Sequence, residues 1–214
     1  MTIPGRVFDG QPTPGVTHGQ VIDCDHAHHE LAVSHRNEWM AGCLLIVSNL
    51  KHILHIILSQ YRLPVDGIHG IAHWGRVLES GRRLAPLTGA DPRVLEYFSI
   101  LHDSRRQSEG RDPAHGERAA ALARELRAEI DLEDGAFALL VESCSCHTRG
   151  AAARADITIQ SCLDADRLDI PRVGMRIKTE LLHTNAARDP EIILWASDRA
   201  ARWVTPAVAS DEWG

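Results

Sequence analysis

The chain has 214 residues, of which 44% are hydrophobic and 24% are charged, as in a soluble globular protein of one domain with a sizeable core. The net charge of −6 disfavours a nucleic-acid polymer as partner, because a phosphate backbone requires a basic surface. This charge does not exclude nucleotides as ligands, since a bound metal ion supplies positive charge locally.

The cysteines form no Cys-x-x-Cys pair and are odd in number, namely Cys24, Cys43, Cys144, Cys146 and Cys162. A disulfide framework and a structural zinc ribbon are therefore not expected, and the compartment is predicted to be reducing. The N-terminus, "MTIPGRVFDGQPTPG", has no apolar run typical of a signal peptide, so we expect a cytoplasmic protein. The apolar stretch 38–61 is interrupted by Lys51, His52 and His55, which disfavour a membrane span.

The chain order predicts three regions. Residues 1–20 contain several prolines and glycines and predict an irregular arm. Residues 21–65 predict an N-terminal helical extension, which includes an apolar helix over 38–61. Residues 66–205 predict a helical core that ends in a C-terminal helix.

Helical periodicity dominates the core region, and no alternating β-branched run is present. Three helices are predicted to start at an Asp-Pro pair, at 91–103, 112–130 and 189–204, because Asp caps free N–H groups and Pro fits the first turn. Further helices are predicted over 69–85, 133–150 and 156–170, with Gly150 as a stop. The sequence thus predicts an all-α, single-domain helical bundle.

Several predicted helices carry a His or an Asp on their apolar stripe. Leu95, Phe98 and His102 share one face, with Asp103 beside it. The other such residues are His73, His115, His147 and Asp166. Buried carboxylates require a cation, and imidazole together with carboxylate suits Mn, Fe, Co, Ni or Zn. The sequence therefore predicts that His102 and Asp103 are adjacent ligands of a divalent transition metal.

These residues resemble the His … His-Asp … Asp signature of the HD superfamily of metal-dependent phosphohydrolases. The motifs are "HWGRVLESGRRLA" with His73, "LEYFSILHDSRR" with His102 and Asp103, and "DADRLD" with Asp166. Asp164 is the rival for the last position. The match runs from about His69 to Ile170. It implies an HD-type bundle with one metal ion held by His73, His102, Asp103 and Asp166. It also implies hydrolysis of a phosphate ester by a metal-activated water.

His115 and His147 lie between the His-Asp pair and the last Asp, and they resemble the additional histidines of dinuclear HD members. The resemblance implies a second ion held by these residues, with Asp103 bridging both ions and taking part in catalysis. The alternative is a single ion, with His115 as a helix-start residue and His147 near the negative end of a helix dipole. The Gly-Tyr-Pro signature of the HD-GYP subgroup is absent, which disfavours cyclic dinucleotides as substrates.

Further polar residues lie close to these motifs. His69 precedes His73 by four residues and is predicted to contact substrate or donate a proton, the alternative being a surface position near the site. Arg76, Arg105 and Arg106 are predicted to bind substrate, since guanidinium groups beside a metal suit phosphate. The alternative for the Arg105–Arg106 pair is a solvated loop.

Two features remain open at this level. Arg167 is expected to pair with a carboxylate. The segment 24–35 is dense in His and Asp, and it predicts either a solvated polar segment or a lid over the pocket.

The function expected from this resemblance is hydrolysis of a nucleotide or another small phosphorylated metabolite. One alternative is an HD-type di-iron oxygenase that cleaves a C–C or C–P bond with O₂, which the same ligands allow. A second alternative is a non-catalytic nucleotide-binding sensor, which a complete ligand set disfavours. A homo-oligomer is compatible with the sequence.

Overall fold

Helices make up the regular structure of the computed structural model, which describes residues 49–149 and 156–213. They are α1 (residues 49–60), α2 (Ile71–Thr88), α3 (Pro92–Leu101), α4 (His115–Glu125), α5 (Asp134–Cys146), α6 (Ile157–Arg167) and α7 (Pro190–Ala201). Short 3₁₀ helices lie at Ile170–Val173 and Thr179–Leu181, and a π-helical turn lies at Val208–Glu212. The described residues contain no strand, so the predicted all-α helical bundle is confirmed.

Two of the predicted Asp-Pro starts are confirmed. The Asp91 side chain accepts hydrogen bonds from the backbone N–H groups of Arg93 and Val94, and Pro92 is the first residue of α3. The Asp189 side chain accepts from the N–H of Glu191 in the same way at the start of α7. These carboxylates satisfy N–H groups that have no partner within the helix.

The predicted helix start at Asp112 is wrong. Helix α4 begins three residues later, at His115, and has no side-chain cap. The Asp112 carboxylate is engaged elsewhere, because it accepts from the backbone N–H of Gln107 at 2.8 Å and from Arg118 at 2.5 Å. As a consequence, His115 stands at the very start of its helix rather than inside it.

Helices α4, α5, α6 and α7 end three to five residues before the predicted ends, at Glu125, Cys146, Arg167 and Ala201. Helix α2 continues past the predicted end to Thr88 and stops at Gly89, whose φ of 78° is left-handed. The arm 1–20, the segment 24–35, residues 38–48 of the predicted apolar helix and Gly150 lie outside the described part. None of the described helices is both long enough and apolar enough to cross a membrane.

The packing of the helices brings their ends together. Helix α2 packs against α3 and α6, α3 also packs against α5 and α6, and α4 packs against α5. The interior is formed by large, fully buried side chains that include Trp74, Leu78, Phe98, Leu101, Leu140 and Ile159. The starts of α2 and α4 thereby meet the ends of α3, α5 and α6 on one side of this core.

Gly116 allows α4 to approach α5 closely. A Cβ at this position would lie 2.6 Å from the Cys144 carbonyl oxygen and 3.2 Å from Cε1 of His147. We expect Gly116→Ala to lower the free energy of unfolding by about 1–3 kcal/mol, because overpacking forces the backbone apart and outweighs the better helix propensity of alanine. Urea denaturation measures this change.

Gly135 provides the matched control for that substitution. It also lies in a helix, α5, but a Cβ there would meet nothing within 4 Å. Gly135→Ala is expected to leave stability unchanged or to raise it, because alanine is the better helix former. Equal effects of the two substitutions would contradict the close approach of α4 and α5.

Candidate metal centre

The predicted ligand residues lie at the ends of helices. His73 is in the first turn of α2, and His115 is the first residue of α4. His102 and His147 directly follow α3 and α5, and Asp166 is in the last turn of α6. Because these helix ends meet, residues that are far apart in the sequence come together in one buried group.

The first group of ligand atoms contains His73, His102 and Asp166. The Nε2 atoms of His73 and His102 are 3.0 Å apart. Oδ1 of Asp166 lies 3.5 Å from the first and 3.8 Å from the second of these nitrogens. Ligands that each lie about 2.0–2.2 Å from one ion are about 3–4 Å from one another, so this group has the dimensions of a metal site.

The second group contains His115 and His147. Their Nε2 atoms are 2.8 Å apart. Oδ1 of Asp103 lies 3.0 Å from Nε2 of His115 and 3.7 Å from Nε2 of His147. This group also has the dimensions of a metal site, with fewer protein ligands than the first.

Asp103 stands between the two groups. Its other oxygen, Oδ2, lies 3.5 Å from Nε2 of His73 and 3.7 Å from Nε2 of His102. One carboxylate therefore presents a different oxygen to each pair of histidines. The buried His and Asp side chains could hold a metal ion, and they form two such groups with Asp103 in common.

Every histidine of the centre is oriented through its other ring nitrogen. Nδ1 of His73 lies 2.7 Å from Oδ2 of Asp169. The remaining Nδ1 atoms contact backbone carbonyl oxygens, namely those of Phe98 and Ser99 for His102, Asp112 for His115 and Cys144 for His147. All of these partners are acceptors, so each Nδ1 carries the proton and donates it.

This tautomer leaves a lone pair on each Nε2, and the lone pairs face one another. The paired nitrogens, 3.0 Å and 2.8 Å apart, repel one another unless a proton or a cation lies between them. Among the four, Nε2 of His115 also has a donor beside it, because Nη1 of Arg106 lies 3.1 Å away. A metal ion satisfies both nitrogens of a pair at once, and the acceptors on Nδ1 are the partners that metal-ligating histidines normally have. The chemistry of the donor set therefore fits a metal ion in each group.

The protonation states follow from burial and from mutual attraction. Burial lowers the pKa of His102 to about 3, so a proton is poorly held there near pH 7. Burial alone would raise the pKa of Asp166 and Asp103, but the neighbouring imidazoles lower the first to about 2 and hold the second well below its usual range. Burial opposes the charged form of His147, yet the adjacent Asp103 carboxylate raises its pKa.

The structure separates Asp166 from its rival Asp164. Asp164 is fully buried, and its carboxylate accepts hydrogen bonds from the N–H groups of His183 and Thr184, both at 2.8 Å, and from the Thr184 hydroxyl at 2.9 Å. It ties the segment after the 3₁₀ helices to α6. Asp166, with a side chain that is 25% exposed, is the aspartate that faces the histidines.

Asp169 holds His73 from the side opposite to the centre, a role that the sequence analysis missed. Its carboxylate also accepts from Arg76, with Nε at 2.7 Å and Nη2 at 3.1 Å. Arg76 is 3% exposed and donates a further bond to the Val204 carbonyl oxygen. The structure thus places Arg76 behind His73, and Arg76 does not line the cavity of about 220 Å³ beside the centre. Its predicted contact with substrate stays a prediction.

Asp169→Asn is expected to weaken metal binding by about 10–100-fold, because the amide no longer offers two charged oxygens to His73 and Arg76. The readout is the dissociation constant of Mn²⁺ or Zn²⁺ for the purified full chain. Asp198→Asn is the matched control. Asp198 is an aspartate of α7 that pairs with the exposed Arg202, four residues later, and not with a residue of the centre. An unchanged dissociation constant for Asp169→Asn would exclude the orienting role.

His69 lies in the loop before α2, close to His73 but not among the ligand atoms. Their ring centroids are 6.3 Å apart. Nδ1 of His69 is 2.5 Å from Oε2 of Glu109, and the Tyr61 hydroxyl donates to the His69 carbonyl oxygen. Burial lowers the pKa of His69, against the opposing effects of Asp103 and Glu109. The sequence analysis did not single out Glu109.

The arginines that follow the His-Asp pair have different surroundings. Nη1 of Arg106 lies 3.3 Å from Oδ1 of Asp103 and 3.1 Å from Nε2 of His115, so its charge adjoins the second group. Arg105 points to α1, where its Nη2 donates to Oε1 of Gln60 at 2.6 Å in an exposed position. Of this predicted pair, only Arg106 is brought to the candidate ligands.

A cavity of about 220 Å³ lies beside the centre. Its walls are formed by His147, Leu163, Asp166, Arg167, Ile170 and Arg172. Arg167 donates to the Leu181 carbonyl oxygen and lies 3.2 Å from Nε2 of His183. Within residues 49–149 and 156–213, the predicted carboxylate partner of Arg167 is not found. The cavity gives a small molecule room next to the candidate ligands His147 and Asp166.

The comparisons with known proteins leave the site to be interpreted from its own chemistry. Neither a protein-family model, nor a curated protein, nor a solved structure matches this chain.

Proposed function

We propose that this chain is a metal-dependent phosphohydrolase of the HD superfamily, acting on a small phosphate ester. The observation that carries the proposal is the position of Asp103 between two pairs of histidine Nε2 atoms, with one carboxylate oxygen toward each pair. The order of His73, the His102–Asp103 pair and Asp166 along the chain supports the same proposal.

The ligand sets of the two ions follow from the distances. The first ion would be held by His73, His102, Asp166 and Oδ2 of Asp103, and the second by His115, His147 and Oδ1 of Asp103. When bound, such ions lower the pKa of a coordinated water and polarise phosphoryl oxygens, which is the chemistry that phosphate ester hydrolysis needs.

The protein side chains have three tasks in this proposal. Asp169 and the backbone carbonyl groups at each Nδ1 keep the Nε2 atoms directed to the centre. The positive guanidinium of Arg106, which adjoins Asp103 and His115, stabilises the negative charge that builds up on the phosphoryl oxygens. His69, fixed through Nδ1 by Glu109, is the group near the centre that is suited to hold or pass a proton.

Phosphate release by the metal-loaded full chain tests the proposal. Protein stripped of metal and reloaded with Mn²⁺, Fe²⁺, Co²⁺, Ni²⁺ or Zn²⁺ is assayed on phosphate monoesters and nucleotides. We expect release that requires added metal, that falls to background in His102→Ala, and that is retained in the control His52→Ala, whose side chain is 59% exposed. Metal-loaded protein that releases phosphate from no ester would contradict the hydrolase.

A di-iron oxygenase is the second candidate, because the histidine-rich donor set also accepts iron. It predicts O₂ consumption by the Fe²⁺-loaded protein and no activity with Zn²⁺ or Mn²⁺. Hydrolysis with redox-inert ions and no O₂ consumption would exclude it. Nucleotide binding without turnover under any of these conditions would instead identify a sensor.

A further inference from the structure

The cavity next to the candidate metal centre has arginine side chains on its wall. Arg167 and Arg172 both line it, together with the apolar Leu163 and Ile170. The candidate ligands His147 and Asp166 also line this cavity. A molecule in this cavity would therefore meet the candidate ligands on one side and guanidinium groups on others.

Arg172 lines the cavity and lies close to Asp169, the residue that orients His73, with its Nε 3.7 Å from Oδ2 of Asp169. Its Nε donates to the Ile68 carbonyl oxygen at 2.9 Å, and its Nη1 donates to the carbonyl oxygen of Asp169 at 3.1 Å. These bonds place it between the loop that contains His69 and the turn after α6.

Arg167 is anchored on a different segment of the chain. In the described part of the structure its hydrogen bonds are to the Leu181 carbonyl oxygen and to Nε2 of His183, and both use Nη1. A guanidinium has five N–H donors in a planar fork, so donors remain for a ligand in the cavity. This arrangement suits a carboxylate or a phosphate better than a hydroxyl group.

The size of the cavity restricts the rest of the ligand. Pockets for drug-sized molecules enclose about 300–1,000 Å³, whereas this one encloses about 220 Å³. A phosphate with a short carbon chain is therefore favoured over a nucleotide, which adds both a sugar and a base.

We infer that the substrate is a short-chain phosphate ester with a second anionic group, whose phosphate lies toward Arg172 and the metal ligands and whose second anion binds Arg167. The inference rests on the proposed function and narrows its substrate class. Arg167 is then the residue that determines specificity, and Arg172 serves any phosphate ester that enters the cavity.

A matched pair of probes tests this inference, namely 3-phosphoglycerate and glycerol 3-phosphate, which differ in a carboxylate and are similar in size. For the metal-loaded full chain we expect kcat/KM to be about 10–100-fold higher for 3-phosphoglycerate, the value of a hydrogen bond to a charged group. Arg167→Gln should remove most of this preference by lowering kcat/KM for 3-phosphoglycerate far more than for glycerol 3-phosphate. Arg172→Lys should lower kcat/KM for both probes. Arg176→Ala, an exposed arginine on the same loop, is the control that changes neither.

Calorimetric binding of the same probes to the metal-loaded chain gives a readout that does not depend on turnover. A binding preference for 3-phosphoglycerate that Arg167→Gln removes supports the inference even if no phosphate is released, in which case only the hydrolase is contradicted. Equal affinity and equal kcat/KM for the two probes would overturn the inference, as would a preference that Arg167→Gln leaves intact. Adenosine monophosphate bound or turned over better than 3-phosphoglycerate would overturn it as well.

Discussion

Asp103→Ala is expected to remove both metal ions from the protein while leaving its helix content unchanged. The carboxylate presents one oxygen to His73 and His102 and the other to His115, so its loss deprives both groups of their shared negative ligand. The residue lies beyond the end of α3, so the backbone hydrogen bonds of that helix do not involve its side chain. Metal content per chain and far-ultraviolet circular dichroism measure the two parts of this result.

Asp91→Ala separates the loss of a ligand from the loss of any carboxylate on this helix. Asp91 caps the opposite end of α3, and its removal should lower the free energy of unfolding by about 1 kcal/mol. Because it lies away from the histidines, the metal content should remain that of the unaltered protein. Full metal occupancy in Asp103→Ala would remove Asp103 from the centre and end the two-ion proposal.

Much of the fold could be predicted because the signals were local. The apolar stripes repeat with a helical period, and Asp91 and Asp189 begin their helices by accepting the N–H groups of the next turn. Asp112 shows the limit of such signals. Its carboxylate is used by Arg118 and by the backbone of Gln107, and no local pattern states which of these donors prevails.

The candidate ligand residues could be found in the sequence because most of them lie on faces that the periodicity turns inward. His73, His102 and Asp166 are spread over the sequence, but each lies at a helix end that meets the others. The two histidines are fully buried, whereas the Asp166 side chain is 25% exposed. Their convergence required only that the helices pack as a bundle. The shared position of Asp103 was expected from the resemblance alone. In the structure its two oxygens face different pairs of histidines, which is compatible with that expectation.

The residues around the ligands could not be predicted in the same way. Asp169 reaches His73 because the chain turns into a 3₁₀ helix after α6, and Glu109 reaches His69 from a loop. Arg76 was expected at a pocket edge because it lies three residues after His73 on α2. That spacing does not reveal that a buried carboxylate, Asp169, pairs with it. Such contacts depend on turns and loops, for which residue spacing carries no period.

His115→Ala and His147→Ala are each expected to lower the metal content from about two ions to about one per chain, because the second group has few protein ligands and cannot spare one. The first group keeps His73, His102 and Asp166 in both variants and retains its ion. Phosphate release should then fall steeply, since a single ion cannot act on both the attacking and the leaving oxygen. Metal analysis and turnover of each variant are measured on the same preparation.

Histidines outside the second group provide the controls for these two substitutions. His55→Ala removes an exposed imidazole of α1 and should change neither metal content nor turnover. His102→Ala should lose the first ion, so the two groups can be emptied separately if they are separate sites. If a single ion is bound instead, both His115→Ala and His147→Ala retain that ion and most of the activity. His115→Ala then loses only packing at the start of α4, and His147→Ala only packing at the end of α5. Unchanged metal content with an unchanged rate in both variants would therefore reduce the centre to His73, His102, Asp103 and Asp166.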